Sequence, residues 1–233
     1  MVASSIELNL PRGERYALIG PNGAGKTTLI NLMTGMLPPD RGRIFLGEED
    51  ITGLSPEARV KRGLVRTFQI NTLFPHLNAL EAVALAVCER RGVAGVFWRR
   101  LPVFREVVEE AHEILVSLRL GESWRRPTHE LAYGQQRLLE IALALATRPK
   151  VLLLDEPAAG VPHEESAELF DAIAGLSEDI AVLFIEHDMN LVFRFARRII
   201  VMVGGRILVE GNPDEIAADQ RVREVYLGGA RHG

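Results

Sequence analysis

The sequence predicts an α/β protein in which a parallel sheet is interrupted by an inserted α-helical subdomain. Apolar stretches of strand length alternate with helical stretches at both ends of the chain, as in a parallel sheet with crossover helices. From Asn78 to Leu120, helical spacing continues with few strand signals. These observations predict one domain over residues 1–233, with an α/β core at 1–69 and 149–233 and the helical subdomain at 70–148.

Turn residues and hydrophobic periodicity place the elements of the core in order along the chain. The first strand alternates apolar and polar side chains, the second is fully apolar and precedes a glycine-rich turn, and the following helix stops before two prolines. Ser55 before Pro56 predicts another helix start, and two consecutive glycines predict a final hairpin. Strands are predicted at 6–10, 16–19, 65–68, 151–154, 182–185, 198–203 and 206–209, and helices at about 26–36 and from about 55, 164 and 190.

The helical subdomain opens with Asn78 and, three residues later, Glu81, which form a capping-box pattern. A second helix is predicted from Gly134 to about Thr147. Cys88 falls in an apolar series and is predicted to pack in a core. Several arginines near Phe97 and Trp98 form either a membrane- or transporter-facing patch or a solvated helical face: Arg90, Arg91, Arg99, Arg100 and Arg105.

The composition is that of a globular protein with enough apolar residues for a sizeable core. Among 233 residues, 47% are hydrophobic and 25% are charged, and the net charge is −4. A negative charge argues against binding nucleic acid through bulk positive charge. The single cysteine excludes an internal disulfide, and the absence of a signal-peptide pattern favours the cytoplasm. Because no apolar run is long enough to cross a bilayer, we expect any membrane association to be peripheral.

Residues 20–27, Gly-Pro-Asn-Gly-Ala-Gly-Lys-Thr, match the phosphate-loop pattern and lie between a predicted strand and a predicted helix. The glycines let backbone N–H groups converge on a phosphate at the helix N-terminus. Lys26 can reach the β- and γ-phosphates, Thr27 can bind magnesium, and Thr28 is placed near the α-phosphate. The pattern predicts a P-loop NTPase core of the RecA-like type. Its candidate binding residues are Gly20, Pro21, Asn22, Gly23, Ala24, Gly25, Lys26, Thr27 and Thr28.

Two consecutive carboxylates follow the apolar strand at 151–154. A magnesium nucleotide site requires a carboxylate at the end of a neighbouring buried strand, and Asp155 is predicted to hold the metal through water. Glu156 is then placed to polarise the attacking water as a general base. In isolation, a strand-ending turn would explain this segment equally well, but the phosphate loop favours the nucleotide site.

Further motifs make the chain resemble the ATP-binding cassette (ABC) ATPases over nearly its whole length. In order and spacing, they resemble the Q-loop, signature, Walker B, D-loop and H-loop of that family. They are Gln69, 131–137 (Leu-Ala-Tyr-Gly-Gln-Gln-Arg), Asp155-Glu156-Pro157, Gly160 and His187. The resemblance implies the ABC ATPase architecture and a head-to-tail dimer. In such a dimer, the signature loop of one subunit closes over ATP held by the phosphate loop of the other.

The resemblance also implies roles for individual residues. His187 would contact the γ-phosphate and position the attacking water, and Gln69 would sense magnesium and water and link the site to the helical subdomain. The implied catalytic set is Glu156, His187 and Gln69, the metal set is Thr27, Gln69 and Asp155, and the signature residues that contact ATP in trans are Ala132, Gly134 and Gln135.

The chain is most similar to the LivG-type branch, the ATP-binding subunits of branched-chain amino-acid importers. The similarity is carried by 65–69, 131–137, 155–160, 185–189 and the tail 224–228. It implies three partners: ABC permease membrane subunits, a second ATPase subunit and, indirectly, a periplasmic or extracellular substrate-binding protein. It also implies a location at the cytoplasmic face of the membrane and no binding of nucleic acid. Cassettes for urea, amides, aromatic acids or lipopolysaccharide export share several of these features, and both homodimers and heterodimers fit.

Two departures from the family pattern stand out. Ala132 replaces the usual signature serine, which removes one hydroxyl contact to the γ-phosphate, although the LivG-type branch tolerates alanine. Cassettes also carry an adenine-stacking aromatic residue a little over twenty residues before the phosphate loop, whereas nineteen residues precede Gly20 here. We therefore expect the N-terminal β segment to be truncated, which leaves open how adenine is held.

Two other function classes compete with transport. A non-transport ABC ATPase acting on nucleic acid or ribosomes usually has two cassettes in one chain or a long coiled-coil insertion, and this sequence has neither. A regulatory nucleotide-binding module without turnover is disfavoured by Glu156 and His187.

Overall fold

The computed structural model describes residues 3–67, 76–93 and 101–228. Among these residues, strands and helices alternate as the sequence predicts. The strands are β1 (Arg15–Ile19), β2 (Phe45–Leu46), β3 (Glu49–Asp50), β4 (Leu64–Arg66), β5 (Val151–Asp155), β6 (Ala181–Ile185), β7 (Arg198–Val203) and β8 (Arg206–Gly211). The helices are α1 (Lys26–Thr34), α2 (Pro56–Arg62), α3 (Ala79–Arg90), α4 (Leu101–Ser117), α5 (Tyr133–Leu145), α6 (His163–Ala174), α7 (Met189–Phe195), α8 (Pro213–Ala218) and α9 (Gln220–Gly228).

The main sheet has six strands in the order β4-β5-β6-β1-β7-β8. Strands β5, β6, β1 and β7 are parallel, and β8 pairs antiparallel with β7 in the predicted hairpin. Asp155 of β5 and Leu18 of β1 both lie beside Ile185 of β6. The carboxyl ends of β5, β6 and β1 therefore meet at one edge, where ligands bind in open α/β sheets.

The chain divides into two compact units, and the first comprises residues 1–64, 150–157 and 178–233. Strands β1 and β6 are buried at every position, as expected for a parallel sheet covered on both faces. Their side chains share a core with Leu29 and Ile30 of α1, the helix that follows the phosphate loop. The predicted parallel α/β core is confirmed.

Arg59 fixes the far end of α1. Its side chain is 1% exposed and donates hydrogen bonds to carbonyls of Leu32 (2.8 Å), Met33 (2.6 Å), Thr52 (2.7 Å) and Leu54 (3.1 Å). A cation is favourable at a helix C-terminus because the unpaired carbonyls there carry partial negative charge. The buried arginine thus holds the phosphate-loop helix against the segment that leads into α2.

The predicted strand at 6–10 is not formed. Ile6, Leu8 and Leu10 are half-buried against the core, while Glu7 and Asn9 are exposed, so the alternation of apolar and polar residues is real. The segment nevertheless has no ladder partner, and alternation alone does not supply one. The strand expected at 65–68 corresponds to β4, which begins at Leu64 and ends at Arg66. Phe68 lies outside the described residues.

The second unit comprises residues 65–149 and 158–177 and is mainly helical. Asn78 caps α3 and forms the predicted capping box with Glu81, with hydrogen bonds of 2.9 Å in both directions. Cys88 is buried, as predicted. In the described ranges, no helix combines the length and hydropathy needed to cross a membrane.

An ion cluster around the largely buried Glu110 ties three segments of this unit together. Glu110 of α4 is 14% exposed and accepts hydrogen bonds from Arg90 (2.8 Å), Arg91 (2.6 Å) and Arg148 (3.1 Å). Burial alone would raise the pKa of Glu110, but the hydrogen bonds from Arg90 and Arg91 outweigh it and lower the pKa to about 2. Arg90 and Arg91 therefore belong to an ion-pair network around Glu110, with side chains 17% and 28% exposed. Arg99, Arg100, Phe97 and Trp98 of the predicted basic patch lie outside the described residues.

Candidate nucleotide-binding and catalytic site

The phosphate loop joins β1 to α1 at the carboxyl edge of the sheet. A Cβ at Gly20 would overlap the carbonyl oxygen of Met202 in β7, so only glycine allows this close approach. Gly25 is the N-cap of α1, has a φ of 101° and provides no side-chain cap. The first N–H groups of α1 therefore have no side-chain cap at this position, which is the arrangement that binds phosphate at a helix N-terminus.

Lys26 lies buried at the start of α1. Its Nζ donates to the carbonyl oxygens of Gly20 (2.6 Å) and Pro21 (3.3 Å). Burial lowers the pKa of Lys26, and the negative charges of Glu156 and Asp155 oppose that shift. The lysine thus links the phosphate loop electrostatically to the carboxylates that follow β5.

Glu156 and His187 form a pair at the same edge. Nε2 of His187 lies 3.0 Å from Oε1 of Glu156, and the two side chains are 49% and 39% exposed. A carboxylate can only accept, so this hydrogen bond requires a proton on Nε2 of His187. Because both side chains are partly exposed, the pair can contact both water and a bound phosphate.

The backbone at Glu156 is constrained. Its φ is +50°, a left-handed conformation that costs a non-glycine residue about 1 kcal/mol or more. Its N–H donates to the carbonyl of Ile185 in β6 at 3.0 Å. The backbone N–H of His187 in turn donates to the buried carboxylate of Glu186 at 3.1 Å. Both functional side chains therefore project from backbone that is held by hydrogen bonds.

The predicted signature residues surround the N-terminus of α5 in the second unit. The N–H of Gly134 donates to Oε2 of Glu165 in α6 at 3.1 Å, and a Cβ at Gly134 would lie 2.6 Å from that oxygen. Gln135 accepts from the N–H of Ala132 (3.3 Å) and donates to Ser123 (3.3 Å). The turn is therefore tied to neighbouring parts of its own unit.

Comparison with known families decides the class of this site. A family model described as "ABC transporter" matches residues 3–159. The chain belongs to the ABC transporter ATPases. A second model, "Branched-chain amino acid ATP-binding cassette transporter", matches residues 206–232 of this ABC ATPase. The predicted family and the ATPase class are confirmed.

Curated relatives match this ABC ATPase over almost its full length. The high-affinity branched-chain amino acid transport ATP-binding protein BraF of Pseudomonas aeruginosa is 39% identical over 99% of this chain and 93% of its own. LivG of Escherichia coli, with the same description, is 39% identical with the same coverage. The probable LivG of Methanocaldococcus jannaschii is 34% identical over 96% of this chain and 90% of its own.

Solved structures agree with the fold. The crystal structure of the ADP conformation of MJ1267, an ATP-binding cassette of an ABC transporter, matches with a TM-score of 0.82 and 32% identity over 97% of this chain and 92% of that one. The dimeric structure of MJ0796, a bacterial ABC transporter cassette, matches with a TM-score of 0.72 and 25% identity over 91% and 90%. The predicted ABC ATPase architecture is confirmed.

The first unit of the ABC ATPase brings together most of the predicted site residues. The phosphate loop, Asp155, Glu156 and His187 meet at one sheet edge, with Thr27 exposed and Thr28 half-buried on the first turn of α1. Gln69 lies outside the described residues, so its catalytic and metal-sensing roles stay predictions. Within the described ranges, no group of three or more His, Cys, Asp or Glu side chains is arranged to hold a metal. A magnesium ion bound largely by phosphate oxygens does not require such a group.

Two interactions escaped the sequence analysis. Glu165 accepts from Gly134 across thirty-one positions, and no motif marks it. Burial raises the pKa of Tyr226 in α9, and the backbone N–H of Gly20 offsets part of that shift. Tyr226 lies in the tail segment that carries the LivG-type similarity, which was the one available signal for it.

Proposed function

We propose that this ABC ATPase energises an importer of branched-chain amino acids by binding and hydrolysing ATP. The main support for hydrolysis is the hydrogen-bonded pair of Glu156 and His187, which lies beside the phosphate loop and Lys26. The proposed cargo rests on the named functions of BraF and LivG and on the family match at residues 206–232.

Each group in the site has a chemical task. The loop N–H groups and the Lys26 ammonium bind the β- and γ-phosphates, and Thr28 contacts the α-phosphate. Glu156 accepts a proton from a water molecule while the oxygen of that water attacks the γ-phosphorus. The bond between the γ-phosphorus and the β–γ bridging oxygen then breaks, which releases ADP and inorganic phosphate. His187 donates from Nε2, which orients the Glu156 carboxylate and places a donor near the γ-phosphate.

The side chains at this edge fit a magnesium ion. Thr27 offers an exposed hydroxyl, and Asp155 lies close enough to Lys26 to act on its pKa. Both are hard oxygen donors of the kind that magnesium prefers. Thr27, Asp155 and, from the sequence pattern, Gln69 would hold the ion, which would neutralise charge on the β- and γ-phosphate oxygens.

The signature residues act on ATP bound by another subunit. The N-terminus of α5, with Ala132, Gly134 and Gln135, offers backbone N–H groups to the γ-phosphate held by a partner's phosphate loop. The similarity to the dimeric MJ0796 cassette supports this arrangement. ATP then binds between two subunits, so closure of the dimer depends on nucleotide.

The working assembly lies at the cytoplasmic face of the cell membrane. ABC permease membrane subunits receive the motion of the ATPase dimer, whose second member is a related ATPase subunit or another copy. A periplasmic or extracellular substrate-binding protein delivers the cargo and acts only indirectly on this chain. The transport functions named for BraF and LivG support these partners.

Reconstitution tests the proposal. The ATPase is combined in proteoliposomes with permease and binding-protein subunits from the same organism, and ATP hydrolysis is measured with leucine, urea, an aliphatic amide or an aromatic acid. We expect leucine to stimulate hydrolysis and to accumulate in an ATP-dependent manner. Stimulation by one of the other solutes alone would overturn the cargo, and ATP hydrolysis that is insensitive to the membrane subunits would overturn the transport role.

A further inference from the structure

Tyr133 joins the first turn of α5 to the segment that leads into α6. It is the first residue of α5, and its phenol oxygen accepts a hydrogen bond of 2.7 Å from Nη2 of Arg137, one helical turn further on. A Cβ at Gly160, just before α6, would lie 3.2 to 3.4 Å from three atoms of the Tyr133 side chain. The Tyr133 ring therefore packs directly against the backbone of Gly160, within the second unit.

Arg137 holds the Tyr133 ring in place. Although Tyr133 is 39% exposed, the Arg137 side chain is only 7% exposed and pairs at 2.9 Å with Glu140, which is itself 10% exposed. The guanidinium carbon also lies 5.0 Å from the centroid of the Tyr133 ring, which is close enough for a cation–π contact. Because separating a buried ion pair is costly, the pair with Glu140 fixes the guanidinium, and the guanidinium fixes the phenol.

A second contact joins the same two segments. The N–H of Gly134, next to Tyr133, donates to Glu165 in the first turn of α6 at 3.1 Å. In the proposed dimer, a phosphate competes with Glu165 for this N–H. The contacts of Tyr133 involve only its side chain, so they can persist when the backbone N–H groups of the turn bind phosphate.

We propose that Tyr133, held by Arg137, is a positioning residue for closure of the ATPase dimer. It fixes the signature turn, residues 131–135, against Gly160 in the conformation that receives the partner's γ-phosphate. A turn that is ordered before binding loses less conformational freedom when the ligand arrives. The inference rests on the proposed role of the signature residues toward ATP held by another subunit. Because the phosphate loop lies in the first unit, we expect ATP binding by the monomer to be independent of Tyr133.

Substitution of Tyr133 tests the proposal in chains that also carry Glu156→Gln, which slows hydrolysis so that ATP-bound dimers accumulate. Tyr133→Phe keeps the ring on Gly160 and removes the hydrogen bond from Arg137. The Mg-ATP concentration for half-maximal dimerisation, measured by light scattering, should therefore rise about threefold to tenfold. Tyr133→Ala removes both contacts and should raise this concentration further. The ATP affinity of the monomer, measured by calorimetry, should stay unchanged in both variants.

Two glycines separate the contact with Tyr133 from backbone strain. Gly160 and Gly92 both have left-handed backbone, with φ of +77° and +67°, and both lie in the second unit. Alanine at Gly160 would press on the Tyr133 ring, whereas no atom of the described residues lies within 4 Å of a Cβ at Gly92. Strain should lower the stability of both alanine variants to a similar extent. Only Gly160→Ala should also raise the ATP requirement for dimerisation, by about threefold or more.

Combining the substitutions shows whether Tyr133 and Gly160 act through each other. With Tyr133→Ala in place, Gly160→Ala should add no more than Gly92→Ala does, since the ring that the new methyl group would contact is gone. An effect of Gly160→Ala that persists without the ring would overturn the inference, as would an unchanged ATP requirement in Tyr133→Phe. Failure of the Glu156→Gln chain itself to dimerise with ATP would instead overturn the proposed shared site and, with it, the inference that rests on it.

Discussion

Oε2 of Glu165 accepts a hydrogen bond of 3.1 Å from the backbone N–H of Gly134. This N–H lies on the first turn of α5, where the proposed mechanism places the γ-phosphate of a partner's ATP. A carboxylate and a phosphate repel each other at one donor, so the incoming phosphate must displace Glu165. On that proposed mechanism, we expect the position of α6 to influence closure of the dimer.

Glu165→Gln should therefore make dimerisation easier. The variant keeps the shape of the side chain and removes the charge that competes with phosphate, so we expect dimers at a lower concentration of Mg-ATP, measured by light scattering. Glu164→Gln, an exposed neighbour in α6, is the control and should behave as wild type. A higher ATP requirement in the Glu165 variant would show that the carboxylate supports the turn instead of competing for it.

Gly134→Asp should abolish turnover and leave ATP binding by the monomer nearly intact. Its carboxylate would face the γ-phosphate, and its Cβ would lie 2.6 Å from Oε2 of Glu165. Gly134→Ala separates the two effects because it has the Cβ without the charge. Hydrolysis by the assembled transporter and calorimetry on the isolated chain provide the two readouts. Full-rate hydrolysis by the Asp variant would contradict a site shared between subunits.

Lys26→Ala should weaken ATP binding. The ammonium makes charge-assisted contacts with the phosphates, and losing one such contact should reduce affinity roughly tenfold or more. Lys61→Ala, on the exposed face of α2, provides the control in calorimetric titrations. Equal ATP affinity for the two variants would count against the phosphate loop as the nucleotide site.

Acid should destabilise the helical unit through Glu110. Its folded pKa of about 2 lies below the ordinary value of 4.5, so its contribution is complete above about pH 5 and is lost as pH falls toward 2. Allowing for partial hydration, that contribution is roughly 2 kcal/mol. Glu110→Gln should lower the free energy of unfolding by a similar amount at pH 7 and reduce its change between pH 5 and 3. A variant with the wild-type acid response would exclude Glu110 as the cause.

Much of the candidate nucleotide site at the carboxyl edge of the sheet could be predicted because its residues occur in short contiguous patterns. The phosphate loop lies between β1 and α1, and Asp155 and Glu156 follow an apolar strand, so position in the chain already implied a common sheet edge. The register that places Asp155 and Leu18 beside Ile185 could not be predicted, because strand order depends on contacts between distant segments.

Contacts between distant residues account for most of what the sequence did not predict. The bond from Gly134 to Glu165 has no local pattern, since it joins two helices by backbone donation. Arg90 and Arg91 were predicted as part of a surface feature, but their partner Glu110 is twenty and nineteen positions away. Alternation at residues 6–10 correctly predicted which side chains face the core, yet it carried no information on a pairing partner.

The central claim is that Glu156, oriented by His187, is the general base of ATP hydrolysis. Steady-state ATPase activity of the assembled transporter with Glu156→Gln tests it most directly, with Glu178→Gln, an exposed carboxylate of the same unit, as the control. We predict that hydrolysis falls by about 10² or more in the Glu156 variant, because the amide cannot accept the proton, while ATP binding persists. Turnover close to wild type in that variant would contradict the account.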